Sequence, residues 1–160
     1  MPKRRLNEKK LDYAEQWYQK LVSVNPGNKK AYYTLGVIAW TTAFQQRMDA
    51  RAKLGMKPDD RGPLTDNNVR AELAAINGPL VEEGIKNLDA AIRLDPEYDD
   101  AMAYENLLIR EKADLADTKE EYEQQKKIAD DWVEKTMATK KMKMEKKQKT
   151  AGGIVAEPSK

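Results

Sequence analysis

The chain contains no cysteine and no histidine. Their absence removes disulfide scaffolds, thiolate zinc sites, cysteine nucleophiles and every histidine-based catalytic triad. It leaves the redox compartment open. Serine is nearly as scarce: Ser23 and Ser159 are the only two, and neither stands in a Gly-x-Ser-x-Gly setting. No apolar run approaches the roughly 18 residues of a membrane span. The opening MPKRRLNEKKLDY is basic but has no apolar stretch behind it, so it does not read as a secretory signal. No convincing strand pattern is present, and so no glycine-rich phosphate loop can follow one. These gaps point away from an enzyme and away from any cofactor or bound metal.

Glycine and proline number 8 and 7 and fall in a few places, where they punctuate long unbroken runs. The rest is rich in Ala, Leu, Glu, Lys and Gln, a helical composition. The 160 residues fit one domain of ordinary size, and an apolar share of 40% allows a modest core. Charge is unevenly spread. Residues 1–10 carry +4, residues 135–160 carry +6, and the segment between them carries −8. Such an acidic body is a poor nucleic-acid surface.

Helical spacing of Leu11, Ala14, Tyr18, Leu21 and Val22 predicts a helix from Asn7 to Val24, ended by Asn25-Pro26-Gly27-Asn28. Asn28 then caps a long helix to about residue 54, with Ala31, Tyr32, Leu35, Ile38 and Ala39 on its apolar face. An irregularity is expected near Thr41-Thr42, and the polar QQRMDARAK half is expected to project into solvent. Gly55 to Thr65 reads as loop, with Asp66 capping the next helix. Asn77-Gly78-Pro79 is expected to break or kink it before Leu80 to Leu94. A helix from Asp99 to Ala113 follows. The capping signal Asp117-Thr118 with Glu120-Glu121 then opens a last helix to about Lys141, with Tyr122, Ile128 and Trp132 directed inward. Residues 142–160 are expected to be a disordered, Lys-rich tail.

Two helices share a spacing. Ala14, Tyr18, Leu21 and Pro26 match Gly84, Leu88, Ala91 and Pro96 at offsets of 4, 7 and 12. Each offers a small residue for close approach, large residues beside it, and a proline stop. After each turn the next helix opens alike, with Ala31-Tyr32 and Ala101-Met102; the first continues with Leu35-Gly36 and Ala39. Over residues 11–40 and 84–109 these features resemble the tetratricopeptide repeat family, in a bacterial-type form with an insertion within one repeat. The resemblance implies an all-α fold: a short, right-handed α-solenoid of antiparallel helix pairs with a long C-terminal capping helix. The domain would cover residues 1–141, with the insertion at about 43–78. Two departures stand out. The chain opens on what resembles the second helix of a repeat, as a fragment of a longer array would, and Glu105-Asn106 stands where Leu-Gly is expected.

The acidic pairs Glu82-Glu83, Asp99-Asp100, Glu120-Glu121 and Asp130-Asp131 fit first helical turns or solvated faces better than catalysis or metal binding. The run from Asp95 fails as a calcium loop, because Asp100 and Asn106 occupy its sixth and twelfth positions instead of Gly and Glu. Lys140 to Lys149 lacks arginine and aromatics, which weakens a nucleic-acid or membrane reading.

The family resemblance implies a concave groove lined by the first helix of each repeat. Here that face would carry Tyr33, Val37, Trp40, Thr41, Tyr104, Leu107 and Arg110. It has few of the Lys, Arg and Asn residues with which clamp-type members hold acidic peptide ends. The expected function is therefore a non-catalytic interaction module taking a protein segment or partner helix of apolar character, with no small-molecule substrate. Two alternatives stand beside it: an oligomerising scaffold whose groove is self-filled, and a regulator using its basic tail on nucleic acid or membrane. Cytoplasm is the default compartment, with periplasm open to a fragment of a longer chain.

Overall fold

A computed structural model describes the backbone of residues 2–156 and the side-chain surroundings of residues 7–151. The described residues form five helices and no strand: α1 (Pro2–Val24), α2 (Lys29–Lys53), α3 (Asn67–Leu94), α4 (Asp99–Asp114) and α5 (Lys119–Ala156). The fold is all-α. Consecutive helices run antiparallel, and α4 returns to lie alongside α2 as well as α3. At the two ends of this stack, among the described residues, α1 packs on α2 alone and α5 on α4 alone.

The caps follow the local sequence. The Asn28 side chain accepts from the Ala31 amide, that of Asp66 from Val69, and the Thr118 hydroxyl from Glu121. Each satisfies an amide the first turn leaves without a partner. The turns before α2 and α4 lie together, because Lys29 pairs with Asp95 at 2.7 Å across them.

Small residues set the helix spacing. A Cβ on Gly36 would stand 2.4 Å from Leu88, and one on Gly84 would stand 2.7 Å from the Ala39 Cβ and 2.9 Å from Leu108. Gly84 thus sits where α2, α3 and α4 meet. Around it lies the main core: Ala43, Val81, Leu88, Ala91, Ala101 and Leu108. Ala14, its counterpart on α1, is only half buried, since it meets a single neighbour.

Several expectations are corrected. Helix α1 begins at Pro2, ahead of Asn7. Helix α2 passes through Thr41-Thr42 without a break, with both hydroxyls bonding back to the carbonyls of Val37 and Ile38. Helix α3 is likewise continuous through Pro79. Pro79 and Ala75, whose carbonyl loses its helical donor, both lie on the solvent side, where water can bond that carbonyl. Just before the proline, buried Asn77 donates to the Ala43 carbonyl at 3.0 Å and holds the two helices in register.

Residues 43–78 accordingly form the far half of the α2–α3 hairpin. A second small core of Ala50, Leu64 and Leu73 closes it. The polar end of α2 does not project into solvent, because Arg47 and Arg51 fold down onto α4. On α5, Ile128 is 43% exposed and Ala129 takes the inward place, with Tyr122 and Trp132 half buried. The Lys-rich segment from 142 continues α5 as helix to Ala156; residues 157–160 lie outside the described residues. Lys, Glu, Gln and Met are good helix formers, and Lys143 and Lys146 pair with Asp99 and Glu97 beside the start of α4.

Candidate functional site

The three aromatic residues of the expected groove come together. The Tyr104 ring of α4 meets Tyr33 at 5.6 Å and Trp40 at 5.8 Å, edge to face in both cases. Tyr33 and Trp40 are seven residues apart on α2, two turns on one face. Tyr98 stacks on Tyr33 at 5.2 Å, and Phe44 stacks on Trp40 at 5.0 Å. Offset and edge-on pairs of this kind each contribute about 0.5–1.5 kcal/mol beyond area burial. All five rings are half buried. They form a strip along α2 and α4 with one side on the core and the other open.

Val37 lies half buried on the same stretch of α2, and Leu107 is half buried on α4. Thr41 lines a cavity of about 620 Å³ with Trp40 and Phe44, opposite Glu8, Leu11 and Asp12 of α1. A second cavity of about 440 Å³ lies at the other end of the α1–α2 contact, between Trp17 and Leu21 of α1, Tyr33 and Thr34 of α2, and Tyr98 and Asp100 by α4. Arg110 is placed elsewhere. It bonds Asn106 at 2.7 Å and Asp130 of α5 at 2.6 Å, and lines a separate cavity with Arg47 and Tyr122.

Burial, with Tyr104, Asp100 and Tyr98 close by, pushes the Tyr33 hydroxyl up to about 12. Tyr33 is therefore neutral at physiological pH, an amphipathic ring with a hydroxyl that can donate or accept. Such a strip suits apolar side chains and occasional polar groups. Phe44 and Tyr98 were missing from the sequence-derived groove. Phe44 was legible as the residue one turn after Trp40; Tyr98, a turn residue, carried no helical periodicity to place it.

Three of the four acidic pairs have one member in an ion pair. Glu82 pairs with Lys112 at 2.9 Å, Asp99 with Lys143 at 2.7 Å and Asp130 with Arg110 at 2.6 Å. A larger cluster went unread in the sequence. Arg47 grips Glu111 with Nε and Nη2 at 2.6 and 3.1 Å and reaches Asp114 with Nη1 at 2.9 Å. Arg51, 3% exposed, spends all five donors: two on Asp114 and one each on the carbonyls of Lys57, Asp60 and Gly62. This cluster fixes the 54–66 loop against α4.

Glu105 is the other buried acid, 1% exposed, and its Oε1 has no hydrogen-bond partner among the described residues. Burial, reinforced by a hydrogen bond to Asp89 and that residue's charge, pushes its carboxyl up to about 9. It stands 70 positions after Leu35, at the matching place in the second turn-and-helix unit. No family model matches this chain, and neither a curated protein nor a solved structure matches it.

Proposed function

We propose that the chain is a non-catalytic interaction module of the tetratricopeptide-repeat kind, whose aromatic strip on α2 and α4 takes a helical segment of another protein. The observation that carries this reading is the half-buried ring row of Tyr33, Trp40 and Tyr104 beside two cavities on the α1 side. Aromatic side chains dominate protein interfaces because they bury large areas at small entropic loss. A strip about 15 residues long on α2, from Lys30 to Gln45, spans roughly 20 Å, the length of four helical turns. A helix laid along it would reach Val37 and Thr41 as well as the rings.

The test is affinity capture with the full chain and with a Tyr33→Ala/Tyr104→Ala variant, helicity being checked by circular dichroism. Loss of specific partners from the variant is expected. Equal recovery by both proteins would defeat the reading.

A further inference from the structure

We infer that the partner helix carries an arginine, seated in the cavity where Glu8 and Asp12 of α1 face Trp40 and Phe44 of α2. The inference rests on the groove reading above and names the chemistry of its occupant.

This cavity of about 620 Å³ has two unlike walls. Helix α1 supplies Leu11 together with Glu8 and Asp12. Both acids are exposed and stand one helical turn apart, so they share a side of the helix. Helix α2 supplies the stacked rings of Trp40 and Phe44, which are half buried. Among the described residues no Lys or Arg lines the cavity, and Asp12 has no ion-pair partner. One guanidinium does approach Phe44, that of Arg47 at 5.6 Å, but Glu111 and Asp114 already hold it.

The polar groups around the cavity are set to accept. The hydroxyls of Thr41 and Thr42 give their hydrogens to the Val37 and Ile38 carbonyls at 2.8 and 3.1 Å. Only their lone pairs are left for a ligand. The Gln46 carbonyl oxygen is buried without a donor among the described residues, so turning it toward a ligand breaks no bond. Buried polar atoms in this state are uncommon, because each forgoes a hydrogen bond that water would have given.

These features select the occupant. An apolar side chain would cover carboxylates and meet none of the acceptors. A carboxylate would be repelled by Glu8 and Asp12. Lysine offers the charge, but as a compact and strongly hydrated point. Arginine brings five N–H donors in a planar fork that can span two carboxylates one turn apart, while its methylenes lie on Leu11 and the rings. The field of the molecule acts in the same direction, since residues 11–134 carry −8 and attract a basic segment. The cavity beside Tyr33 lacks this bias, because Lys30 stands there with Asp100.

The probes are two capped, alanine-rich helical peptides that differ at one central position, arginine in one and citrulline in the other. Citrulline keeps the shape and removes the charge. Each is titrated into the full chain while the indole N–H resonance of Trp40 is followed, assigned with Trp40→Phe. The arginine peptide should shift it saturably and bind about tenfold tighter than the citrulline peptide, the difference expected when a charged hydrogen bond is lost. Asp12→Asn, at an exposed position that leaves the fold intact, should weaken the arginine peptide by about threefold to fivefold and leave the citrulline peptide unchanged. Asp59→Asn, in the exposed loop before α3, should change neither.

An arginine preference that survives Asp12→Asn overturns the inference, since the guanidinium would then sit elsewhere. Equal binding of the two peptides, both lost in Tyr33→Ala/Tyr104→Ala, overturns the arginine and leaves the groove reading in place. Acetyl-arginine amide binding as tightly as the arginine peptide overturns both, because a free guanidinium compound would then be the ligand. A Trp40 resonance unmoved by either peptide overturns the arginine, and the groove reading then stands or falls on affinity capture alone.

Discussion

Replacing Glu105 with glutamine should make the protein more stable, and by an amount that depends on pH. In the folded chain the carboxyl is held protonated up to about pH 9 by burial and by Asp89. In the unfolded chain it ionises with its ordinary value of about 4.3. Between those two values the unfolded state binds fewer protons than the folded one, so stability falls as pH rises. The contribution of the protonated group is fully present below the unfolded value, declines through neutral pH, and levels off above about 9. At about 1.4 kcal/mol per pH unit, the loss accumulated by pH 7 is about 4 kcal/mol. Glutamine keeps the shape, needs no proton, and can donate to Asp89 in place of the acid.

Glu105→Gln should therefore match wild type near pH 4 and exceed it by about 3–4 kcal/mol at pH 7, or roughly 6–16 °C in melting temperature for a chain of this size. Urea unfolding followed by circular dichroism at several pH values measures this directly. A variant less stable than wild type at pH 7, or a difference that does not change with pH, would refute the reasoning. Either would mean that Glu105 is ionised inside the fold, with Lys135 as its counter-charge.

Two further perturbations probe the packing. Gly84→Ala should destabilise by about 1–2 kcal/mol despite the better helix propensity of alanine, because the added methyl meets Ala39 and Leu108. Gly78→Ala in the same helix meets nothing within 4 Å and should stabilise by about 0.5–1 kcal/mol, so chemical denaturation of the pair separates propensity from contact. Arg51→Met should lose about 3 kcal/mol, since Asp114 and three loop carbonyls would be left short of donors. Limited proteolysis should then cut first between residues 55 and 65, and an uncut loop would show that Arg51 does not hold it.

The sequence by itself determined that this chain is helical and where its turns lie. Asn28, Asp66 and Thr118 cap helices because their side chains act within three residues of themselves, a range that local pattern reports faithfully. Gly84 was legible for a similar reason, since its spacing within a helix announces a close neighbour even when the neighbour is unnamed, whereas Ala14, given the same role, is only half buried. That Tyr33, Trp40 and Tyr104 share a face was what the family resemblance implied, and their rings meet along α2 and α4.

Other features were decided only by the tertiary structure. Arg47 and Arg51 look like solvent residues in a polar run, and only their partners 63 to 67 positions away bring them inside. Pro79 reads as a break, yet its side of α3 faces water while Val81, Gly84 and Leu88 hold the other side against α2 and α4. The cost of one missing hydrogen bond is small beside the area those residues bury. The Lys-rich end of α5 continues as helix on its own good helix formers and meets acidic partners at the start of α4. For the arginines and for Pro79, local preference was overruled by contacts between distant segments, whose energies no short window of sequence contains.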